Sequence, residues 1–94
     1  MIIAVDFDGT LKLPNGAPNI QLIQRLKAAQ RKGDTVILWT CRAGMRLNEA
    51  LRFLYQNGFV PNAVNQNTPQ TISKLGYDPR KILADIYIDD KNYR

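Results

Sequence analysis

The sequence predicts an α/β fold in which helices cover the faces of a parallel sheet. Four short segments are apolar and rich in β-branched residues, as expected of buried strands. Three segments with helical spacing alternate with them, and polar residues stand where the strands end. This βαβαβαβ alternation favours right-handed crossovers and a sheet of about four parallel strands.

The first strand and the first helix are predicted within residues 1–33. The run IIAVDF at residues 2–7 reads as a strand, and Gly9 follows it closely. Asn19 is a good helix N-cap, and Gly33 stands where a helix commonly ends. Between them, apolar residues recur at helical spacing: Ile20, Leu22, Ile23, Leu26 and Ala29.

The other elements follow in the same alternation. TVILWT at residues 35–40 predicts a second buried strand, and Gly58 closes a second helix. The apolar face of that helix carries Leu47, Ala50, Leu51 and Leu54. We expect a short third strand at residues 63–65, a brief helix beginning at Thr68 and Pro69, and a last strand in ADIYIDD that ends at Asp89.

Length and composition limit the chemistry. The 94 residues predict one domain, residues 1–94, that buries about 60 to 65% of the surface its unfolded chain exposes. No segment has the ~18 apolar residues of a membrane span, and IIAV is too short for a signal peptide, so we expect a cytoplasmic protein without membrane contact. Histidine is absent and Cys41 is the single cysteine, which excludes an intramolecular disulfide, the usual zinc sites and Ser-His-Asp catalysis.

The charge distribution favours an anionic partner. Net charge is +5, from 13 basic and 8 acidic residues. Four of the acids are Asp6, Asp8, Asp89 and Asp90; if they share one site, the other surfaces carry 13 basic residues against 4 acids and attract anions. A basic surface kept for solubility is the alternative, because the basic residues are scattered along the chain.

Three predicted strands end at a polar residue: Asp6, Thr40 and Asp89. Carboxyl ends of parallel strands meet at one edge of the sheet, where ligands of such folds bind. Acids are poor strand formers, and an uncompensated buried carboxylate is costly. We therefore expect a functional site at this edge.

Three motifs resemble those of the haloacid dehalogenase-like (HAD) phosphohydrolase superfamily: DFDGT after an N-terminal strand, a strand ending in Thr40, and ADIYIDDK near the C-terminus. The resemblance spans Asp6 to Asp90 and is greatest to small members with ADxYIDDK. It implies a minimal Rossmann-like three-layer sandwich with strand order 3-2-1-4 and no cap domain. Asp8 is typical of the phosphatase members, so dehalogenation is not expected.

The resemblance implies a Mg²⁺-dependent phosphatase. Asp6, Asp89 and the backbone carbonyl of Asp8 would hold the ion, which lets carboxylates approach a phosphoryl group. Asp6 would attack phosphorus and form an aspartyl-phosphate. Asp8 lies about 6 to 7 Å further along an extended chain, so its side chain can serve a different atom. The resemblance implies that Asp8 protonates the leaving oxygen and later deprotonates water. Asp90 would support these groups without contacting the substrate, or would pair with the site lysine.

Further residues are expected to hold the phosphate or to form the turn beside it. The hydroxyl of Thr40 and the next backbone N–H would bind phosphate oxygens. The residues assigned to phosphate contacts or to the turn are Gly9, Thr10, Thr40, Cys41 and Arg42, with Arg46 and Asn65 near the mouth. A basic face on an exposed helix is the alternative for the two arginines, and the basic end at residues 91–94 has no assigned purpose.

The lysine that should neutralise the intermediate is either Lys81 or Lys74. Lys81, in PRKILADIYIDD, fits the pattern of the small relatives. Lys74 lies in the third helix, which descends from the carboxyl edge of the sheet. Lys81 ranks first, although a lysine shortly before the last strand should start near the opposite edge.

Three rival functions were weighed. A cysteine-dependent phosphatase needs five residues between Cys and Arg, but CRAGMR has four and position 47 is Leu, so Cys41 is expected to be a small buried residue. A receiver-like phosphoacceptor domain normally has adjacent acids after its first strand, whereas here the adjacent pair comes last. A non-catalytic HAD-like binding protein is the third alternative.

The absence of room for a cap predicts an open site. About thirty residues separate Thr10 from Thr40, and a helix uses roughly half of them. The expected substrate is a phosphorylated small molecule or the phosphorylated end of a macromolecule. Because the chain ends four residues after Asp90, we expect an uncovered sheet edge and a homo-oligomer.

Overall fold

The computed structural model describes residues 1–79 and 81–91 and contains the predicted elements in the predicted order. They are β1 (Ile2–Asp6), α1 (Ile20–Arg31), β2 (Thr35–Trp39), α2 (Gly44–Gln56), β3 (Ala63–Val64), α3 (Pro69–Leu75) and β4 (Ile86–Ile88). The strands form one parallel sheet in the order β3-β2-β1-β4, which confirms the predicted fold class and strand order. The strands are shorter than expected: β1 stops at Asp6, and β4 begins two residues later than its apolar run.

One face of the sheet carries the main core. Alternate residues of β1 and β2 point to it and pack with apolar residues of α1 and α2: Ile3, Val5, Val36, Leu38, Leu22, Ile23, Leu26, Ala50 and Leu54. Each large aliphatic side chain buried here contributes about 1.5–3 kcal/mol relative to an exposed one. This face therefore supplies most of the hydrophobic stabilisation.

Chain direction places the remaining helix on the opposite face. The chain steps from β1 to β2 to β3 in one direction and then returns past β1 to β4. Right-handed crossovers put α1 and α2 on one face and the returning α3 on the other. The helix that follows β1 and the helix that precedes β4 thus lie on opposite faces, and the strand order reverses at this pair of neighbours.

Helix caps connect the helices to the loops before them. Asn19 accepts a hydrogen bond from the Leu22 N–H at 3.3 Å and donates to the Thr10 carbonyl at 3.1 Å. Thr68 accepts from the Thr71 N–H at 3.2 Å, and Pro69 fills the first turn of α3. The cap of α1 thus reaches back to the turn that follows β1.

Side chains extend the pairing of β3, which is only two residues long. The Asn62 side chain accepts from the Val36 N–H, and the Asn65 side chain accepts from the Thr40 N–H, both at 2.8 Å. Asn65 adopts φ +52°, a left-handed conformation that asparagine tolerates. The two amides therefore bond the edge of β2 beyond both ends of the short strand.

Asn67 holds the segment before β4. Its side chain is buried and donates to Asp78 Oδ1, the Pro79 carbonyl and the Lys81 carbonyl at 2.9, 3.2 and 3.1 Å. It also accepts from the Leu83 N–H at 2.7 Å. One buried amide thus fixes the path by which the chain returns to the sheet.

Within the described part of the chain, none of the helices has both the length and the apolar character needed to cross a membrane.

Candidate active site

The carboxyl ends of the strands form a cavity of about 260 Å³. Asp6 ends β1, Thr40 follows β2, and Asp89 follows β4, as the strand-end pattern predicts. The cavity is lined by these three residues together with Trp39, Cys41 and Asp90. The structure therefore brings the polar strand-end residues together at the carboxyl edge of the sheet, near the pair of strands where the strand order reverses.

The surroundings of Asp6 disfavour a negative charge on its carboxylate. Partial burial raises the pKa of Asp6, and repulsion from the carboxylates of Asp8, Asp90 and Asp89 raises it further. A hydrogen bond from the Phe7 N–H acts in the opposite direction on this pKa. A bound cation would relieve this repulsion and favour the ionised carboxylate.

The ligands that the sequence motifs imply are all oxygen atoms. The described residues contain no group of three or more His, Cys, Asp or Glu side chains placed to hold a metal. The arrangement implied by the sequence motifs needs only the carboxylates of Asp6 and Asp89 and the carbonyl of Asp8, an all-oxygen set that suits Mg²⁺. The side chain of Asp8, in contrast, is engaged elsewhere.

Arg42 forms a bidentate ion pair with the Asp8 carboxylate. Its Nε donates to Asp8 Oδ2 at 3.0 Å and its Nη2 to Oδ1 at 2.8 Å. The guanidinium also donates to the Arg46 carbonyl at 3.2 Å and lies 4.8 Å from the centre of the Phe7 ring. This bond from Arg42 lowers the pKa of Asp8, so Asp8 is charged in this structure.

The turn after Asp8 requires a glycine. Gly9 has φ +80°, and a Cβ there would lie 3.4 Å from the Cβ of Asp90. Thr10 is buried in the same turn and does not line the cavity, and its hydroxyl has no hydrogen-bond partner among the described residues. Both residues thus contribute through the turn, and Asp90 packs against it.

Thr40 lines the cavity and is fixed by the turn that follows β2. Its Oγ1 accepts a hydrogen bond from the Arg42 N–H at 3.1 Å, while its own N–H donates to the Asn65 side chain.

Cys41 is exposed, so the expectation of a buried cysteine is wrong. The reason is its position: it follows β2 in the turn before α2, where the chain leaves the core, and its side chain lines the cavity.

The two candidate lysines lie in different places, and neither is among the cavity-lining residues. Lys74, in the last turn of α3, lies with Ile2 and Asp85 at the amino end of the sheet, opposite the site. Lys81 is exposed, and its carbonyl is bonded to Asn67, directly after β3. The Lys81 backbone thus lies near the segment that follows β3, and the choice of Lys81 over Lys74 stays a prediction.

The residues expected near the mouth of the site, Arg46 and Asn65, make hydrogen bonds within the protein. Arg46 is exposed and offers its carbonyl to Arg42, while Asn65 bonds the backbone at Thr40. Of the basic C-terminal end, the Lys91 N–H donates to Asp89 Oδ1 at 2.9 Å, and residues 92–94, like position 80, lie outside the described residues.

Trp39 is the cavity residue that the sequence reasoning missed. The run TVILWT suggests a uniformly buried strand, yet Trp39 at its end is 42% exposed. The available signal was its place immediately before Thr40, where the strand reaches the predicted site edge.

Comparisons with known proteins support the fold. The solved structure of a conserved protein from Bacteroides thetaiotaomicron is 36% identical to this chain, with a TM-score of 0.77. The match covers 98% of this chain and 77% of that one. No family model matches the chain, and no curated protein matches it.

Proposed function

We propose that this chain, which belongs to the same family as the conserved Bacteroides thetaiotaomicron protein, is a Mg²⁺-dependent phosphatase of the HAD type acting on phosphoric monoesters. One observation carries the proposal. Asp6 ends β1 in a cavity shared with Thr40 and Asp89, at the crevice where α/β sheets bind ligands. Burial and neighbouring carboxylates raise the pKa of Asp6. A bound cation would stabilise its ionised form, which could then attack an electrophile such as phosphorus.

Asp6, Asp89 and the Asp8 carbonyl would hold Mg²⁺. When bound, the ion supplies positive charge that offsets repulsion between these carboxylates and the phosphate oxygens. Thr40, which lines the cavity and whose Oγ1 accepts from the Arg42 N–H, would donate its hydroxyl proton to a phosphate oxygen. These contacts place phosphorus in front of Asp6.

In the first step, a carboxylate oxygen of Asp6 bonds to phosphorus. The bond from phosphorus to the ester oxygen breaks, and its electron pair stays on that oxygen. Asp8 gives its proton to the same oxygen, so the leaving group departs as an alcohol. The products are an aspartyl-phosphate on Asp6 and an ionised Asp8.

In the second step, a water oxygen bonds to phosphorus while Asp8 takes one of its protons. The bond between phosphorus and the Asp6 oxygen breaks, which releases inorganic phosphate and restores the Asp6 carboxylate. Asp8 is protonated again, and the cycle balances.

Arg42 must move for Asp8 to act as an acid, because the ion pair keeps Asp8 charged. A guanidinium fork matches phosphate oxygens as well as carboxylate oxygens. The incoming phosphate therefore competes for Arg42 and frees Asp8 to take up a proton.

Hydrolysis of para-nitrophenyl phosphate, with Mg²⁺ or with EDTA, tests the proposal. We expect Mg²⁺-dependent multiple turnover that both Asp6→Asn and Asp8→Asn abolish. Asp34→Asn is the matched control, since Asp34 lies before β2 at the opposite edge and pairs with the Met1 amino group. Metal-independent turnover, or full activity in Asp6→Asn, would refute the mechanism.

The Asp8–Arg42 pair also favours a second candidate, a receiver-like phosphoacceptor. If Arg42 kept Asp8 engaged, no base would activate water, and phosphate transferred to Asp6 would stay there. Stoichiometric labelling without turnover would identify that function. Binding of phosphorylated molecules without either labelling or turnover would identify a non-catalytic HAD-like binding protein.

A further inference from the structure

Trp39 lies beside the proposed nucleophile. In the parallel register of β1 and β2, Trp39 is the direct partner of Asp6, and strand neighbours are about 4.8 Å apart. Val5 and Leu38 point into the main core, so alternation sends Asp6 and Trp39 together to the other face. The indole therefore forms a wall of the cavity that contains the nucleophile.

The indole is braced by a fixed aromatic partner. Its ring meets the Tyr87 ring edge-on, with 6.0 Å between centroids. Tyr87 itself is held at its hydroxyl, which donates to the Ile82 carbonyl at 2.6 Å and accepts from the Ala84 N–H at 3.1 Å. Ala4, between the two strands that carry the rings, is small enough for them to meet above it.

A braced indole at this position has no role in the main core. Ile37, two residues earlier on the same face, is completely buried, whereas Trp39 remains 42% exposed. The cavity of about 260 Å³ is open on one side, so a phosphate group can bind in it while a ring of the leaving group lies against the exposed indole.

We propose that Trp39 is a specificity residue that stacks on a planar ring in the leaving group, so that the preferred substrates are small aryl or nucleoside monophosphates. This inference rests on the proposed phosphatase function and adds the substrate class. Among the residues that line the cavity, Trp39 offers the large aromatic surface on which a ring can stack.

Phosphonates test the subsite in the intact protein, because their carbon–phosphorus bond withstands phosphate-ester hydrolysis. The probes are phenylphosphonate, an adenosine phosphonate and propylphosphonate, each with Mg²⁺. Trp39 is the sole tryptophan, so its fluorescence reports on the cavity directly, and calorimetry measures affinity in every variant. Base–aromatic stacking predicts that ring phosphonates bind about 10-fold more tightly than propylphosphonate.

Substitutions separate stacking from general effects. We expect Trp39→Leu to remove the preference for ring phosphonates over propylphosphonate, and Trp39→Phe to keep part of that preference. Tyr55→Leu is the matched control, since Tyr55 is an exposed aromatic residue on α2. The relative affinities of the phenyl and adenosine compounds show which ring the site takes.

The outcomes distinguish the two proposals. Equal affinity for ring and propyl phosphonates, or a ring preference that survives Trp39→Leu, overturns the stacking role and leaves the phosphatase function standing. If the folded protein binds none of the phosphonates, that result contradicts both the phosphatase function and the ring subsite that depends on it.

Discussion

Asp6 lies among like charges, and this arrangement has a measurable cost in the metal-free protein. Its pKa is raised by burial and by Asp8, Asp90 and Asp89, so the folded state holds a proton on Asp6 more tightly than the unfolded chain does. Stability then falls as pH rises through this raised pKa. Ionised Asp6 thus destabilises the fold at neutral pH unless a cation is bound.

We predict that Asp6→Asn raises the thermal midpoint at pH 7 in EDTA, because it removes one of the repelling charges. The gain should vanish as pH falls below the ordinary aspartate range, where the native Asp6 is protonated too. Mg²⁺ should raise the midpoint of the native protein and have little effect on the variant. Calorimetry with and without Mg²⁺ measures both effects, and a destabilised variant in EDTA would contradict this interpretation.

Arg42 joins Asp8 through a fork that lysine cannot reproduce. We therefore predict that Arg42→Lys raises KM for a phosphate ester about 10-fold, the loss expected when one charge-assisted contact worth about 1.4 kcal/mol is weakened. Arg52→Lys, on α2, is the control and should leave KM unchanged. Steady-state kinetics give the answer, and equal effects of the two substitutions would exclude a phosphate contact by Arg42.

At the scale of elements, the sequence predicted order and type better than boundaries. Apolar runs and caps such as Asn19 are local signals, and the structure places them as expected. The bonds from Asn62, Asn65 and Asn67 join segments far apart in sequence, so local patterns could not reveal them. The same limitation hid the Asp8–Arg42 pair and the exposure of Cys41.

Asn67 provides the test at this scale. Asn67→Ala removes four hydrogen bonds from a buried position and leaves their partners unpaired. We predict a loss of about 2–4 kcal/mol in the free energy of unfolding, measured by denaturant titration. Gln66→Ala, an adjacent exposed position, should change it by less than about 0.5 kcal/mol. If Asn67→Ala lowered the free energy of unfolding no more than the control does, the hydrogen bonds of Asn67 would not stabilise the fold.

For the whole molecule, the strand order explains why motifs distant in sequence meet. The reversal from β3 back to β4 places β1 and β4 side by side, with Asp6 and Asp89 at the same edge. Alternation of strands and helices predicted a parallel sheet whose strand ends share one edge, and the resemblance of the motifs supplied the strand order. It could not locate Lys81, whose position depends on the bonds of Asn67 to an irregular segment.

The outer edge of β4 gives a prediction about assembly. Among the described residues β4 pairs with β1 alone, and Ile86 on this edge is 41% exposed. Unpaired edges with apolar side chains favour association. We predict a homo-oligomer in sedimentation velocity and a shift towards monomer in Ile86→Lys. A native protein that stays monomeric at all working concentrations would remove the prediction.

The most direct test of the central claim is the identity of the covalent intermediate. The Asp8→Asn variant, which lacks the base for water attack, should accumulate phosphate on Asp6 when mixed with Mg²⁺ and an aryl phosphate, then quenched in acid. Peptide mass spectrometry should place the phosphoryl group on Asp6 and find none in the Asp6→Asn variant. Release of phosphate without this adduct, or an adduct on Cys41, would contradict the account.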